Sequence, residues 1–122
     1  MAVQLATLRD TRRAKVDLTT NQYCLVKIDP TLNTLELATA ATDTVAGVLD
    51  YPGNVGQVCH YNVEGFPKLK MGAAAPNQAK LAPGAGGKAV VATSGQPYFA
   101  ILQEPSSADR QICRVLMEKG VA

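Results

Sequence analysis

The stretch that decides the fold is Thr44-Val-Ala-Gly-Val-Leu-Asp50 together with Gly56-Gln-Val-Cys-His-Tyr-Asn-Val-Glu64, which comes shortly after it. Between them, Pro52-Gly53-Asn54 is typical of a tight turn. Polar and apolar side chains alternate along the second stretch, and successive side chains of a β-strand point to opposite faces. One face would carry Cys59, Tyr61 and Val63, and the other would carry His60, Asn62 and Glu64. Short apolar runs bounded by Gly, Pro and Asn predict an all-β chain.

The rest of the chain repeats this pattern of short apolar runs between turns. Asp29-Pro30 and Asn33 predict a turn between the first two runs, which would form a hairpin. Gly47 lies inside its predicted strand, where a glycine indicates a bulge or a close backbone approach. Residues 72–86 are rich in Ala, Pro, Asn and Gly, which predicts a long loop. The predicted strands are Gln22–Ile28, Thr34–Ala38, Val45–Tyr51, Gln57–Glu64, Phe66–Met71, Gln78–Leu81, Lys88–Ala92 and Tyr98–Gln103.

Two segments near the C-terminus carry further expectations. Lys88–Ala92 is apolar after its first residue, which predicts a strand buried on both faces. Residues 106–119 fit two structures: Ser106–Asp109 could be a capping box that begins a helix, whereas the apolar residues from Ile112 to Leu116 also suit a strand. We favour the strand, because it would pair antiparallel with Tyr98–Gln103.

Residues 1–21 differ in composition from the rest of the chain. Four basic residues, Arg9, Arg12, Arg13 and Lys15, lie there among polar side chains, and few apolar residues recur with a regular period. Two interpretations stay open: a solvated tail, or an arm that becomes ordered on a partner surface. We therefore divide the chain into an N-terminal arm, 1–21, and a single β domain, 22–122, and regard the four basic residues as candidates for binding a protein partner.

Composition limits the classes of partner. The chain has 122 residues, a net charge of +2 and an isoelectric point near 8.5, which is too mild for a nucleic-acid-binding domain. No apolar run is long enough to cross a membrane, and the N-terminus does not have the pattern of a signal peptide. Aromatic residues make up only 5% and Trp is absent, so we expect a thin core that partner chains help to complete.

No set of residues points to catalysis, to a metal or to a cofactor. The single histidine, His60, comes directly after Cys59, and neighbours on a strand cannot form a thiolate–imidazolium pair because they face opposite ways. The three cysteines are widely spaced, which does not fit a zinc site; they predict buried free thiols of a reducing compartment, with an intermolecular disulfide as the alternative. Pro83–Lys88 lacks the first Gly and the Ser or Thr of a phosphate-binding loop. The sequence therefore predicts a protein that is not an enzyme.

Several short sequence motifs occur in an order that is familiar from one group of proteins. After the polar N-terminal segment come Gln22–Asp29, an acidic and small-residue link, and Ala46-Gly-Val-Leu49. Gly87-Lys-Ala-Val-Val91 then precedes the last pair of predicted strands, Tyr98–Leu116. Over residues 20–118 the chain resembles the head decoration (cement) proteins of tailed bacteriophages, both the lambda type and the related small fibre and cement families.

The resemblance implies a small β-barrel or β-tulip with an extended arm and little helix. It implies a viral structural protein that binds the major capsid protein as homotrimers, at three-fold and quasi-three-fold positions, and stabilises the expanded capsid. Its place would be the outer capsid surface of the virion, after synthesis in the host cytoplasm. The chain departs from the family in lacking Trp, in its three cysteines and in the basic character of its arm. An alternative is a ligand- or carbohydrate-binding β module of a fibre or adhesion protein, against which the low aromatic content argues.

Overall fold

The computed structural model describes residues 5–122, with side chains from Leu8 onward. This part of the chain is all-β, as predicted: it has ten strands, one 3-10 turn at Ala85–Gly87 and no α-helix. None of its helical segments is long and apolar enough to cross a membrane. The strands are β1 (Leu5–Arg13), β2 (Leu25–Ile28), β3 (Leu35–Leu37), β4 (Gly47–Tyr51), β5 (Val58–Phe66), β6 (Lys68–Lys70), β7 (Lys80–Pro83), β8 (Ala89–Val91), β9 (Pro97–Leu102) and β10 (Ile112–Val121).

The strands form two five-stranded antiparallel sheets. The first has the order β1-β5-β4-β2-β3, and Ala14, directly after β1, bridges to Leu35 in β3. This bridge brings the two edges of the sheet together, so that it nearly closes into the predicted small barrel. The second sheet has the order β6-β10-β9-β7-β8, and Met71 after β6 bridges in the same way to Ala89 in β8. Closing a sheet removes the unpaired edges that would otherwise invite aggregation.

Two apolar clusters fill the molecule. One lies on the face of the first sheet that carries Leu49, Cys59 and Tyr61, which is the face that the alternation in β5 predicted. The other contains most of the buried side chains of the second sheet together with Leu25 and Val48 of the first. The second cluster therefore joins the two sheets into one unit, although the chain has few large aromatic residues.

The N-terminal segment is part of this fold from residue 5 onward. β1 pairs antiparallel with β5 from Leu5 opposite Phe66 to Arg13 opposite Val58. After β1, Ala14 and Leu18 are buried in the cluster of the first sheet. The expectation of a solvated tail is therefore wrong for residues 5–21. Main-chain pairing with β5 and the burial of one leucine order a segment that has no hydrophobic period of its own.

The C-terminal residues form a strand. β10 pairs with β9, with Val115 opposite Leu102 and Met117 opposite Ala100, so the predicted antiparallel pair is confirmed and the helical alternative is wrong. The expectation for Lys88–Ala92 is wrong in one respect. Its central part is the edge strand β8, and Val91 is 45% exposed. A continuous apolar run does not show whether a second layer covers it.

Gly47 makes the close backbone approach that the sequence predicted. A Cβ atom at this position would lie 2.9 Å from Cδ2 of Tyr61 and nearer still to the carbonyl oxygen of Asn62. Real Cβ atoms do not approach other atoms so closely. β4 can therefore pair with β5 at this distance only because position 47 has no side chain.

Candidate partner-binding surface

The register of β1 divides the predicted basic residues between two faces. Arg9, Thr11 and Arg13 lie opposite Asn62, His60 and Val58 of β5. Directly opposed residues of an antiparallel pair point to the same side of the sheet. Arg9 and Arg13 therefore lie on the face of the first sheet that carries Asn62 and His60, and Arg12 lies on the face that carries Tyr61. Around Asn62 and Val48 the first of these faces is buried against the second sheet, and it becomes exposed toward Val58.

Arg9 forms an ion pair with Asp50. Its Nη2 lies 2.9 Å from Oδ2 of Asp50, whose side chain is largely buried, while that of Arg9 is half-exposed. The pair ties β1 to the end of β4 across the intervening strand β5. A partly exposed pair of this kind contributes little to stability, but it fixes where the guanidinium lies.

Arg12 takes part in a network with Tyr61 and Asp10. The Tyr61 hydroxyl donates a hydrogen bond of 2.8 Å to Oδ2 of Asp10 and accepts one of 3.1 Å from Nε of Arg12. The hydrogen bond from Tyr61, with smaller contributions from the Thr11 amide and Arg12, lowers the pKa of Asp10. The network gives the hydroxyl of the buried Tyr61 two hydrogen-bond partners, and buried polar groups in proteins are generally hydrogen-bonded.

Lys15 contacts two acidic residues beyond the end of β1. Its Nζ lies 2.5 Å from Oδ2 of Asp29 and 3.5 Å from Oε2 of Glu36. Asp29 also accepts hydrogen bonds from the backbone N–H groups of Thr31 and Leu32. The hydrogen bond from Lys15, followed by these amides, holds the pKa of Asp29 below its ordinary value. Lys15 thus helps to hold the β2–β3 turn.

Arg13 is held differently, because its Nη1 donates a 2.7 Å hydrogen bond to the neutral carbonyl of Gly56. The four predicted residues therefore do not form one basic patch. Three of them are paired with carboxylates of the same chain, namely Arg9 with Asp50, Arg12 with Asp10 and Lys15 with Asp29. Arg13, the fourth, is held by a neutral acceptor. Whether any of the four binds a capsid stays a prediction.

The exposed end of this face, where β1, β5 and β4 lie side by side, carries apolar and aromatic side chains. We define the outer β1 face by Arg13, Val58, His60 and Tyr51. Val58 is 48% exposed and Tyr51 is 67% exposed. The rings of Tyr51 and His60 meet edge to face, with centroids 5.7 Å apart and planes at 69°. An exposed surface of aromatic and apolar side chains beside an arginine has the composition of protein interfaces.

Part of this surface could be found from the sequence. The alternation in Gln57–Glu64 placed His60 on the face opposite to Cys59, and the structure confirms that Cys59 is buried while His60 is partly exposed. Tyr51 required the register between β4 and β5, which contains a bulge before Tyr51. A single sequence carries no signal for such a shift.

The cysteines are three buried free thiols, as predicted. Burial raises the pKa of each of them, so they are held in the unreactive thiol form. In residues 5–122 no group of three His, Cys, Asp or Glu side chains could hold a metal ion.

One cavity bears on the carbohydrate-binding alternative. A space of about 190 Å³ is lined by residues that include Thr44, Tyr98 and Phe99. Phe99 is buried, and the ammonium of Lys80 lies 5.1 Å from the centre of the Tyr98 ring. Phe99 therefore offers no exposed ring to a sugar, and Lys80 occupies one face of the Tyr98 ring. The carbohydrate-binding alternative stays a prediction.

The comparisons with known proteins find a likeness of fold among solved structures. No family model matches the chain, and no curated protein matches it. Among solved structures, it is similar to the N base of head fiber gp8.5 in bacteriophage phi29, with a TM-score of 0.70 and 17% sequence identity. The two proteins share a fold. The match covers 91% of this chain and 93% of the other, so it includes both sheets rather than one of them.

Proposed function

We propose that this chain is a structural protein of a phage head that binds to the outside of the capsid. The observation that carries the proposal is the likeness to a head fiber base over nearly the whole length of both chains. The order of the sequence motifs indicates head cement and fibre proteins independently of that comparison. The composition, with one histidine and no catalytic or metal-binding set of residues, agrees with a role that is not enzymatic.

In its finer form the proposal rests on the family resemblance. The chain would bind the major capsid protein as homotrimers at three-fold and quasi-three-fold positions and would stabilise the expanded shell. It would be made in the host cytoplasm and then lie on the outer surface of the virion. Many copies on one particle would add up weak contacts through multivalency, which suits a small domain.

The outer β1 face is the surface that we assign to the capsid contact. It combines an arginine, an exposed tyrosine and an exposed valine on paired strands, and aromatic residues and arginine are enriched where interfaces gain most of their binding energy. Arg9, Arg12 and Lys15 are paired with carboxylates of the same chain and would not contact the capsid. Only Arg13 among the four would touch the partner.

The test is co-sedimentation of the purified protein with expanded capsids of its phage and, separately, with unexpanded proheads. We expect saturable binding to expanded capsids only, and the number of copies at saturation tests the assignment to trimers. The Val58→Glu variant should lose binding, because it places a charge in the outer β1 face. Val91→Glu is the matched control, since Val91 is similarly exposed on a strand of the other sheet. No binding of the unaltered protein to either particle would remove the proposal, and equal loss in both variants would remove the surface assignment.

A further inference from the structure

A polar pocket lies where the second sheet meets the segment that precedes β2. Its volume is about 390 Å³, and its lining includes Thr20, Asn21 and Cys24 from that segment. Three basic side chains complete the lining: Lys70 at the end of β6, Lys88 directly before β8, and Arg110 in the loop between β9 and β10. Three separate parts of the chain therefore bring positive charges to one space.

The backbone holds these three residues in place. The Lys70 N–H donates to the carbonyl of Tyr23 at 2.8 Å, and the Arg110 N–H donates to the carbonyl of Met71 at 2.7 Å. Lys88 comes directly after the 3-10 turn, and its N–H donates to the carbonyl of Ala85. Because the anchors are main-chain hydrogen bonds, the basic side chains start from fixed positions around the pocket.

The effects of the three basic side chains on neighbouring groups agree with their positions around one pocket. The positive charges of Lys70 and Lys88 both act on the Cys24 thiol, against the rise in its pKa that burial causes. Lys88 and Arg110 both contribute to the lowered pKa of Asp109, with the hydrogen bond from Lys88 as the largest cause. Lys88 thus acts on the same group as Lys70 in one case and as Arg110 in the other, which agrees with all three lining the same cavity.

Asp109 is the acidic residue that pairs with one of these basic side chains. Its Oδ1 accepts a 2.6 Å hydrogen bond from Nζ of Lys88, although the Asp109 side chain is 54% exposed. One carboxylate against three basic groups leaves positive charge on Lys70 and Arg110, for which a second anion is the natural partner. Asp109 is not part of the pocket lining, so its carboxylate does not fill the cavity.

The backbone of Arg110 supports a role for its side chain. Its φ is 68°, in the left-handed region, which costs a residue with a Cβ about 1 kcal/mol and costs glycine almost nothing. Residues held in this region against their preference cluster at ligand sites and clamps. At this position the chain carries a long cationic side chain in a conformation that glycine would adopt more easily.

We propose that this pocket binds a carboxylate of an acidic peptide segment of a partner protein, with Lys70 and Arg110 as its charged donors. Besides the basic groups, the pocket offers the Thr20 hydroxyl and the Asn21 amide, which can donate hydrogen bonds to a carboxylate. A nucleic acid fits less well, because its backbone requires a track of basic contacts and its bases require aromatic stacking. This pocket is one concave site without an aromatic side chain in its lining, and one of its lysines is paired with Asp109. The inference does not depend on the proposed capsid function.

The test is calorimetric titration of the full-length protein with a hexaglutamate peptide, with hexaglutamine as the neutral control and inorganic phosphate as a second anion. We expect hexaglutamate to bind and hexaglutamine not to bind. Lys70→Gln and Arg110→Gln should each weaken binding about tenfold, as expected for the loss of a hydrogen bond to a charged group. Lys80→Gln, which removes the same charge from an exposed site elsewhere in the sheet, should leave the affinity within about twofold of the unaltered protein.

A fourth variant separates binding from a structural role. Asp109→Asn removes the competing carboxylate, so hexaglutamate should bind more tightly, whereas a purely structural role of the Lys88–Asp109 pair would give weaker binding or none. The proposal is overturned if hexaglutamate does not bind, if phosphate binds and hexaglutamate does not, if Lys80→Gln weakens binding as much as Lys70→Gln, or if Asp109→Asn does not bind more tightly. Because no capsid is present in this titration, its failure and a failure of the proposed function are separate results.

Discussion

The contribution of Leu18 to stability tests whether the N-terminal segment belongs to the folded domain. Its side chain is fully buried in the cluster of the first sheet, although it lies before the predicted start of the β domain at residue 22. Leu18→Ala removes three carbons from this cluster, which corresponds to about 2.4 kcal/mol at about 0.8 kcal/mol per buried methylene. The cavity that remains raises the expected loss in the free energy of unfolding to about 3 kcal/mol.

The assay is urea unfolding at a fixed protein concentration. With a slope of about 1.5 kcal/mol/M, typical of a small domain, the midpoint should fall by about 2 M. Val16→Ala is the control from the same segment, because Val16 is 42% exposed and its truncation should change the free energy of unfolding by less than about 0.5 kcal/mol. Equal midpoints for the two variants would refute the burial argument and would count in favour of a segment that is independent of the β domain.

Three further predictions test other parts of the structure. Gly47→Ala should lower the free energy of unfolding by about 2 kcal/mol or more, because its methyl group would collide with the Asn62 carbonyl of the neighbouring strand; an unchanged thermal midpoint would contradict this. Lys15→Gln should destabilise the protein near neutral pH and have little effect in strong acid. The pKa of Asp29 is lowered in the folded state, so its contribution is present above the unfolded pKa and is lost as the pH falls through the folded value; the check is a series of unfolding curves from acid to neutral pH, and an effect of Lys15→Gln that is the same at every pH would count against it. The three cysteines should react with a thiol reagent slowly in the native protein and fully in denaturant, since all are buried free thiols, and fast labelling of the native protein would contradict their burial.

The strands with an apolar face could be predicted from the sequence, and those without one could not. The alternation around Tyr61 indicated both the existence of β5 and its buried face. β1 carries Arg9, Asp10, Thr11 and Arg12 in succession, so neither face is apolar, and it is a strand because β5 pairs with it along its length. Pairing with a distant partner is a property of the whole fold and leaves no local hydrophobic period to detect.

The candidate surface was only partly predictable for a related reason. The sequence indicated that Arg9, Arg12, Arg13 and Lys15 are near one another, but spacing along a chain does not show what each charge meets. The structure gives Arg9, Arg12 and Lys15 carboxylate partners within the chain. Asp50 and Asp29 are distant in the sequence from the residues that they pair with, so only the folded structure could show that the apparent basic cluster is largely neutralised.

This neutralisation changes how the proposed attachment would work. A basic arm would bind an acidic surface through charge, and binding through exposed charges weakens as salt screens them. Here Arg9 in β1 and Lys15 beyond its end are already held by partners within the fold, and recruiting them to a capsid would first break the ion pairs with Asp50 and Asp29. The side chains that are exposed for contact on this face, Val58 and Tyr51, are apolar and aromatic. Attachment through Val58 and Tyr51 would gain its free energy mainly from the burial of apolar surface. The proposed capsid contact would therefore depend on shape and apolar area more than on net charge.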